Sequence, residues 1–135
     1  MSKVVIAVDP GWDKCGVAVG TKKRIYKQAV VPSRGMAPMV LKFANEYDVA
    51  AIAMGDCTCS KKAKETLKGF LPDIPIVLTN EWFSTMEARK LYFKANPPKG
   101  LWRLVPVSFR LPPRPVDDYA AVVILKRYFE DLENG

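Results

Sequence analysis

The chain of 135 residues has no histidine, only three cysteines and no apolar run long enough to span a membrane. Without histidine, the side chain that most readily carries protons near neutral pH is missing, and so are the nitrogen ligands of most catalytic zinc sites. Cys15, Cys57 and Cys59 are an odd number, and the last two stand too close together for an ordinary bridge, which argues against a disulfide framework. A C-x-C pair with no second ligand pair is also a poor zinc site. The opening "MSKVVIAVDPG" holds one Lys and an apolar run that ends at Asp9, too short for a signal peptide. The location expected is therefore a reducing cytoplasm, with no membrane as partner. Acids are scarce as well: 14 Asp and Glu face 21 Lys and Arg, for a net charge of +7. That balance suits a polyanion, either nucleic acid or an anionic surface, and does not by itself choose between them.

What is present is enough apolar residue, 49% of the chain, for one ordinary core. Residues 3–8, "KVVIAV", read as a strand covered on both faces. "CGVAVGT" (15–21) and "RIYKQAVV" (24–31) continue it as an antiparallel meander turning at Gly20 to Lys23. Beyond Gly35 the period changes, and Met39, Val40, Phe43, Ala44 and Tyr47 recur at helical spacing. "VAAIAM" (49–54) is a buried strand, "SKKAKETLKGFL" (60–71) an amphipathic helix and "IPIVLTN" (74–80) a short strand. "STMEARKLYFKAN" (84–96) opens with the capping box Ser84-x-x-Glu87. A last helix is predicted over about 116–132. The order βββαβαβ, then two helices separated by a Pro-rich connection, predicts a single α/β domain over 1–135: a mixed five-stranded sheet with helices on both faces.

Three acids stand at the ends of these elements. Asp9 closes the first strand before Pro10-Gly11, Glu81 follows "IVLTN", and Asp117 opens the final helix on its apolar side. Singly each has a plain structural reading: Asp9 as a turn former, Glu81 as a loop residue, Asp117 or Asp118 as a helix N-cap. Together they suggest more, because ionised carboxylates at buried strand ends and on an inward helix face need compensation, which a cation supplies. An all-oxygen ligand set points to Mg²⁺ or Mn²⁺.

"IAVDPGWDKCGVAVG", "TNEWFSTMEAR" and "VDDYAAVVILKRYFE" resemble, in order and spacing, the three signature segments of the YqgF/RuvX-type nucleases. These are a branch of the RNase H-like superfamily that includes Holliday junction resolvases. The resemblance implies an RNase H-like fold and metal-dependent phosphodiester cleavage, with the family's catalytic and metal-binding acids falling on Asp9, Glu81 and Asp117. It departs at Asn80-Glu81-Trp82, where the family usually has Asp-Glu-Arg, and at Gly55-Asp56-Cys57-Thr58, where it often has a Gly-x-Pro loop. Asp118 is additional to the pattern, either a fourth ligand or the N-cap. The chemistry expected is hydrolysis assisted by two divalent ions, one activating water and the other stabilising the leaving oxygen.

The segment 97–115, "PPKGLWRLVPVSFRLPPRP", carries Lys99, Arg103, Arg110 and Arg114 without an acid, and Trp102 and Phe109 stand among them. This mixture suits phosphate contact and base stacking, and equally a Pro-stiffened connection packed on the core. Lys22 and Lys23 at the hairpin are further candidates for nucleic-acid contact. With Arg24 and with Lys61, Lys62 and Lys64, they read more simply as a solvated basic face. Branched DNA and structured RNA, such as a ribosomal RNA precursor, remain equal as substrates. Symmetric cleavage of a four-way junction requires a homodimer. The changes at 80 and 82 also leave open a nucleic-acid-binding module without catalysis.

Overall fold

The computed structural model describes residues 3–56, 59–79, 84–95 and 117–134; the side chains of 84–89, 117 and 134 fall outside that description. Three strands open the chain, β1 (Val4–Asp9), β2 (Lys14–Gly20) and β3 (Ile25–Pro32), followed by a 3-10 turn over Ser33–Gly35 and helix α1 (Met36–Glu46). Then come β4 (Val49–Gly55), α2 (Ser60–Phe70), β5 (Ile76–Thr79), α3 (Ser84–Ala95) and α4 (Asp117–Asn134). The five strands form one mixed sheet in the order β3-β2-β1-β4-β5. The first three pair antiparallel, while β1 with β4 and β4 with β5 pair parallel.

Central β1 has neighbours on both edges and helices over both faces, which is why its sequence runs apolar without alternation. Its even-numbered Ile6 and Val8 join Met36, Val40 and Phe43 of α1 and Leu67 of α2 in one core cluster. Its odd-numbered Val5 and Ala7 join Ala18, Ala53 and the α4 residues Ala121, Ile124 and Leu125 in another. The strand period of two separates these sets onto opposite faces. On the α4 side the sheet contributes Ala7, Ala18 and Ala53 beside Val5, small side chains that leave room for a helix to pack close to the strands. α4 is buried through Ala120–Leu125, wider than an amphipathic stripe, because α3 packs against it as well.

The element boundaries depart from the sequence reading in small, explicable ways. β5 begins at Ile76 rather than 74, since Pro75 has no N–H for the ladder, although its carbonyl still accepts from Ile52 N–H at 2.9 Å. α1 ends at Glu46, and Tyr47 is already extended at φ −128°. Tyr47 instead stacks on Tyr26 of β3 at 5.3 Å, beside the Lys27–Glu46 ion pair. That hydrogen-bonded pair raises the lysine pKa and lowers that of the glutamate, tying β3 to α1 at the surface. The capping-box side chains of Ser84 and Glu87 lie outside the described residues.

Candidate active site

The parallel strands β1, β4 and β5 all run towards one edge of the sheet, where they end at Asp9, Gly55 and Thr79. In open α/β sheets this carboxyl edge is where ligands collect, because the chain leaves each strand there to form a loop. The edge is tied by Asp56 N–H donating to Thr79 O at 2.9 Å and by the Thr79 hydroxyl donating to Met54 O at 3.4 Å. Asp9 continues the Val5–Ala7 row, so its side chain belongs to the α4 face of the sheet. It is half-buried, and its register partner on β2 is Gly16, which puts no side chain beside it.

The first turn of α4 brings a second carboxylate to that face. Asp118 is 5% exposed and precedes Ala121, Val122 and Leu125 on the buried side of the helix, at spacings of three, four and seven residues. Gln28 Nε2, on β3, donates to Asp118 Oδ2 at 2.9 Å. Gln28 pairs with Ala18, which pairs with Ala7, so all three lie in one row across the sheet beneath α4. A buried carboxylate requires such a donor or a cation nearby. Asp118, additional to the motif, is the described acid of α4 that points inward.

The side chain of Asp117 lies outside the described residues, and so does Glu81, two positions beyond Thr79 in the chain. Lys99, Trp102, Arg103, Arg110 and Arg114 also lie outside them. Among the described residues, no group of three His, Cys, Asp or Glu could hold a metal ion. Lys22 and Lys23 are exposed at the β2–β3 turn, at the opposite end of β1 from Asp9, and Lys22 is ion-paired with Glu133 near the end of α4. Their charge is thus remote from the Asp9 edge. Cys15 and Cys59 are buried thiols outside any disulfide, and no helix of the described residues is long and apolar enough to cross a membrane.

Sequence reasoning missed Gln28. A polar residue facing inward beside alanines was the available signal, but its partner is 90 positions away and only the packed fold reveals it.

A scan against protein-family models finds no match, and neither does a search of curated proteins, so the YqgF/RuvX-type resemblance rests on its own motifs. Solved structures do match. RuvC of Thermus thermophilus in complex with a Holliday junction substrate aligns with a TM-score of 0.63 at 16% identity, covering 98% of this chain and 96% of that one. A second T. thermophilus RuvC structure gives 0.54 at 16% identity, over 95% and 94%. The fowlpox virus resolvase, in complex with Holliday junction DNA, gives 0.61 at 11% identity, over 96% and 98%. At such identities the likeness is one of fold, and it extends over nearly the whole chain. The architecture is the mixed-sheet, RNase H-like α/β fold expected from the sequence.

Proposed function

We propose that the chain is a divalent-metal-dependent endonuclease that hydrolyses phosphodiester bonds in branched nucleic acid, of the Holliday junction resolvase type. The observation that carries this reading is the buried Asp118 carboxylate at the start of α4, on the same face of the sheet as Asp9 at the end of β1. The fold shared with a RuvC bound to a Holliday junction substrate and with a poxvirus resolvase bound to Holliday junction DNA, and the charge of +7, support it.

The acids fit a hard cation, since they offer oxygen alone and the chain has no histidine to compete. Asp9, Glu81, Asp117 and Asp118 would hold Mg²⁺ or Mn²⁺. The metal, when bound, would activate water and offset charge on the phosphate. Gln28 holds the Asp118 carboxylate in place, and Gly16 keeps the space beside Asp9 clear of a side chain. Lys99, Trp102, Arg103, Arg110 and Arg114 of the Pro-rich segment would contact the substrate backbone and bases. A homodimer would present two such sites to the two strands of a junction.

The test is incubation with a four-way DNA junction, a structured RNA precursor and a linear duplex, each in Mg²⁺, Mn²⁺ or chelator. Paired nicks in the junction, absent in chelator and lost in Asp9→Asn, are expected. Cleavage confined to RNA would move the assignment to ribosomal RNA maturation. Binding without cleavage in either metal would leave a nucleic-acid-binding module, the outcome that Asn80 and Trp82 make worth checking.

A further inference from the structure

On the other face of the sheet from Asp118, at the same edge, lies a cleft of about 520 Å³ between the β1–β2 turn, the 3-10 turn and the helices α1 and α2. Trp12, Asp13, Arg34, Lys62 and Thr66 contribute its polar and aromatic lining, and Cys15 and Cys59 its inner wall. Its volume is that of a small-ligand site. Trp12 is 70% exposed, the largest exposure among the big apolar side chains described. A tryptophan left this open in a turn is uncommon unless its face has something to cover it.

The turn that carries it is rigidly set. A Cβ on Gly11 would come 2.2 Å from Lys14 O, so only glycine permits the chain to close this tightly. Ser33 fastens the two loops together: its hydroxyl donates to Gly11 O at 2.7 Å, and its N–H donates to Asp13 O at 2.9 Å. Trp12 and Arg34 thus stand on neighbouring loops that are bonded to each other. Arg34 and Lys62 are both exposed, and neither is engaged in a salt bridge among the described residues. Two cations against one acid, Asp13, leave the cleft net positive.

We propose that this cleft is a subsite for one unpaired nucleotide of the substrate strand, its base stacked on Trp12 and its phosphate held by Arg34 and Lys62. The combination of an open aromatic face and unpaired cations is how proteins hold single-stranded nucleic acid without reading its sequence. The β1–β2 turn that carries Trp12 directly follows Asp9 in the chain, so the cleft and the acids share the carboxyl edge of the sheet, on its two opposite faces. The inference rests on the nucleic-acid reading above and specifies which part of the substrate the protein unstacks.

The experiment measures equilibrium affinity in chelator for a short oligodeoxythymidine strand, for an abasic strand of the same length and for a four-way junction. Trp12→Ala should weaken binding of the oligodeoxythymidine roughly 5- to 100-fold, and Trp12→Phe should restore most of it. The abasic strand should bind weakly to the parent, and Trp12→Ala should cost it nothing more. Arg34→Ala and Lys62→Ala should weaken all three probes and flatten the log–log salt dependence by about 0.7 each on single strands. All three positions are exposed, and unchanged melting temperatures would verify that the variants fold. If the parent binds and the three variants bind equally well, the subsite is overturned while the nuclease reading stands. If the parent binds none of the probes, both fall. If Trp12→Ala separates a dimer and leaves oligonucleotide affinity unchanged, the cleft belongs to a second copy and the proposal is wrong.

Discussion

A carboxylate such as that of Asp118, buried to 5% exposure, is costly unless its charge is answered, and the Gln28 amide is one of the groups that answer it. Asp118→Asn keeps the shape and an oxygen that can accept from Gln28, and replaces the charge and the second oxygen with a neutral amide NH2. If Asp118 shares a metal site with Asp9, the acids repel one another when no ion is present, so the variant should melt at the same or a higher temperature in chelator. In Mg²⁺ or Mn²⁺ it should lose the metal-dependent rise in melting temperature together with cleavage, because a ligand stabilises only as far as it binds. Gln28→Ala should cost about 1–3 kcal/mol in chelator, the loss of one hydrogen bond to a buried charged acceptor. An Asp118→Asn protein that is less stable in chelator yet cuts and binds metal like the parent would make Asp118 a structural residue of the α4 terminus.

At the scale of elements, the second core depends on small side chains. Ala7, Ala18 and Ala53 of three adjacent strands meet Ala121 of α4, which has no exposed surface. Enlarging Ala121 to Leu should push helix and sheet apart and cost about 1–3 kcal/mol in urea unfolding, whereas truncating the half-exposed Leu132 on the same helix should cost less than about 0.5 kcal/mol. Equal costs would mean that the α4 face does not confer the stability assigned to it. These elements were legible in the sequence because their causes are local: the unbroken apolar run of β1, the period change after Gly35, and the Pro75 that starts β5 late. The candidate site was legible only where an acid marks an element's end, as at Asp9. The row from Ala7 through Ala18 to Gln28, and the bond from Gln28 to Asp118, depend on strand register and helix docking between segments distant in the chain, which local pattern does not encode. The Trp12 cleft was equally hidden: Lys62 reads in sequence as part of a solvated lysine face, and only the fold sets it across from the β1–β2 turn.

Over the whole molecule, the chain carries a net charge of +7, and among the described residues cations stand at both ends of the sheet. Lys22 and Lys23 stand at the end of the sheet away from Asp9, and Arg34 and Lys62 at the near end. Phosphate contacts spread in this way position a polyanion without reading its bases. Each phosphate neutralised releases condensed counterions, so the logarithm of the affinity for duplex arms should fall with the logarithm of salt concentration by about 0.9 per contact. Binding of four-way junctions measured across a salt series should therefore be steep and should change little when the arm sequences are permuted. The two ends of the sheet should also separate. Lys22→Ala removes a cation already paired with Glu133, so it should leave the slope nearly unchanged, while Arg34→Ala should reduce it. A slope near zero in the parent would exclude a polyanionic partner. A loss in Lys22→Ala as large as that in Arg34→Ala would instead mean that the substrate lies along the whole length of the sheet rather than at its carboxyl edge.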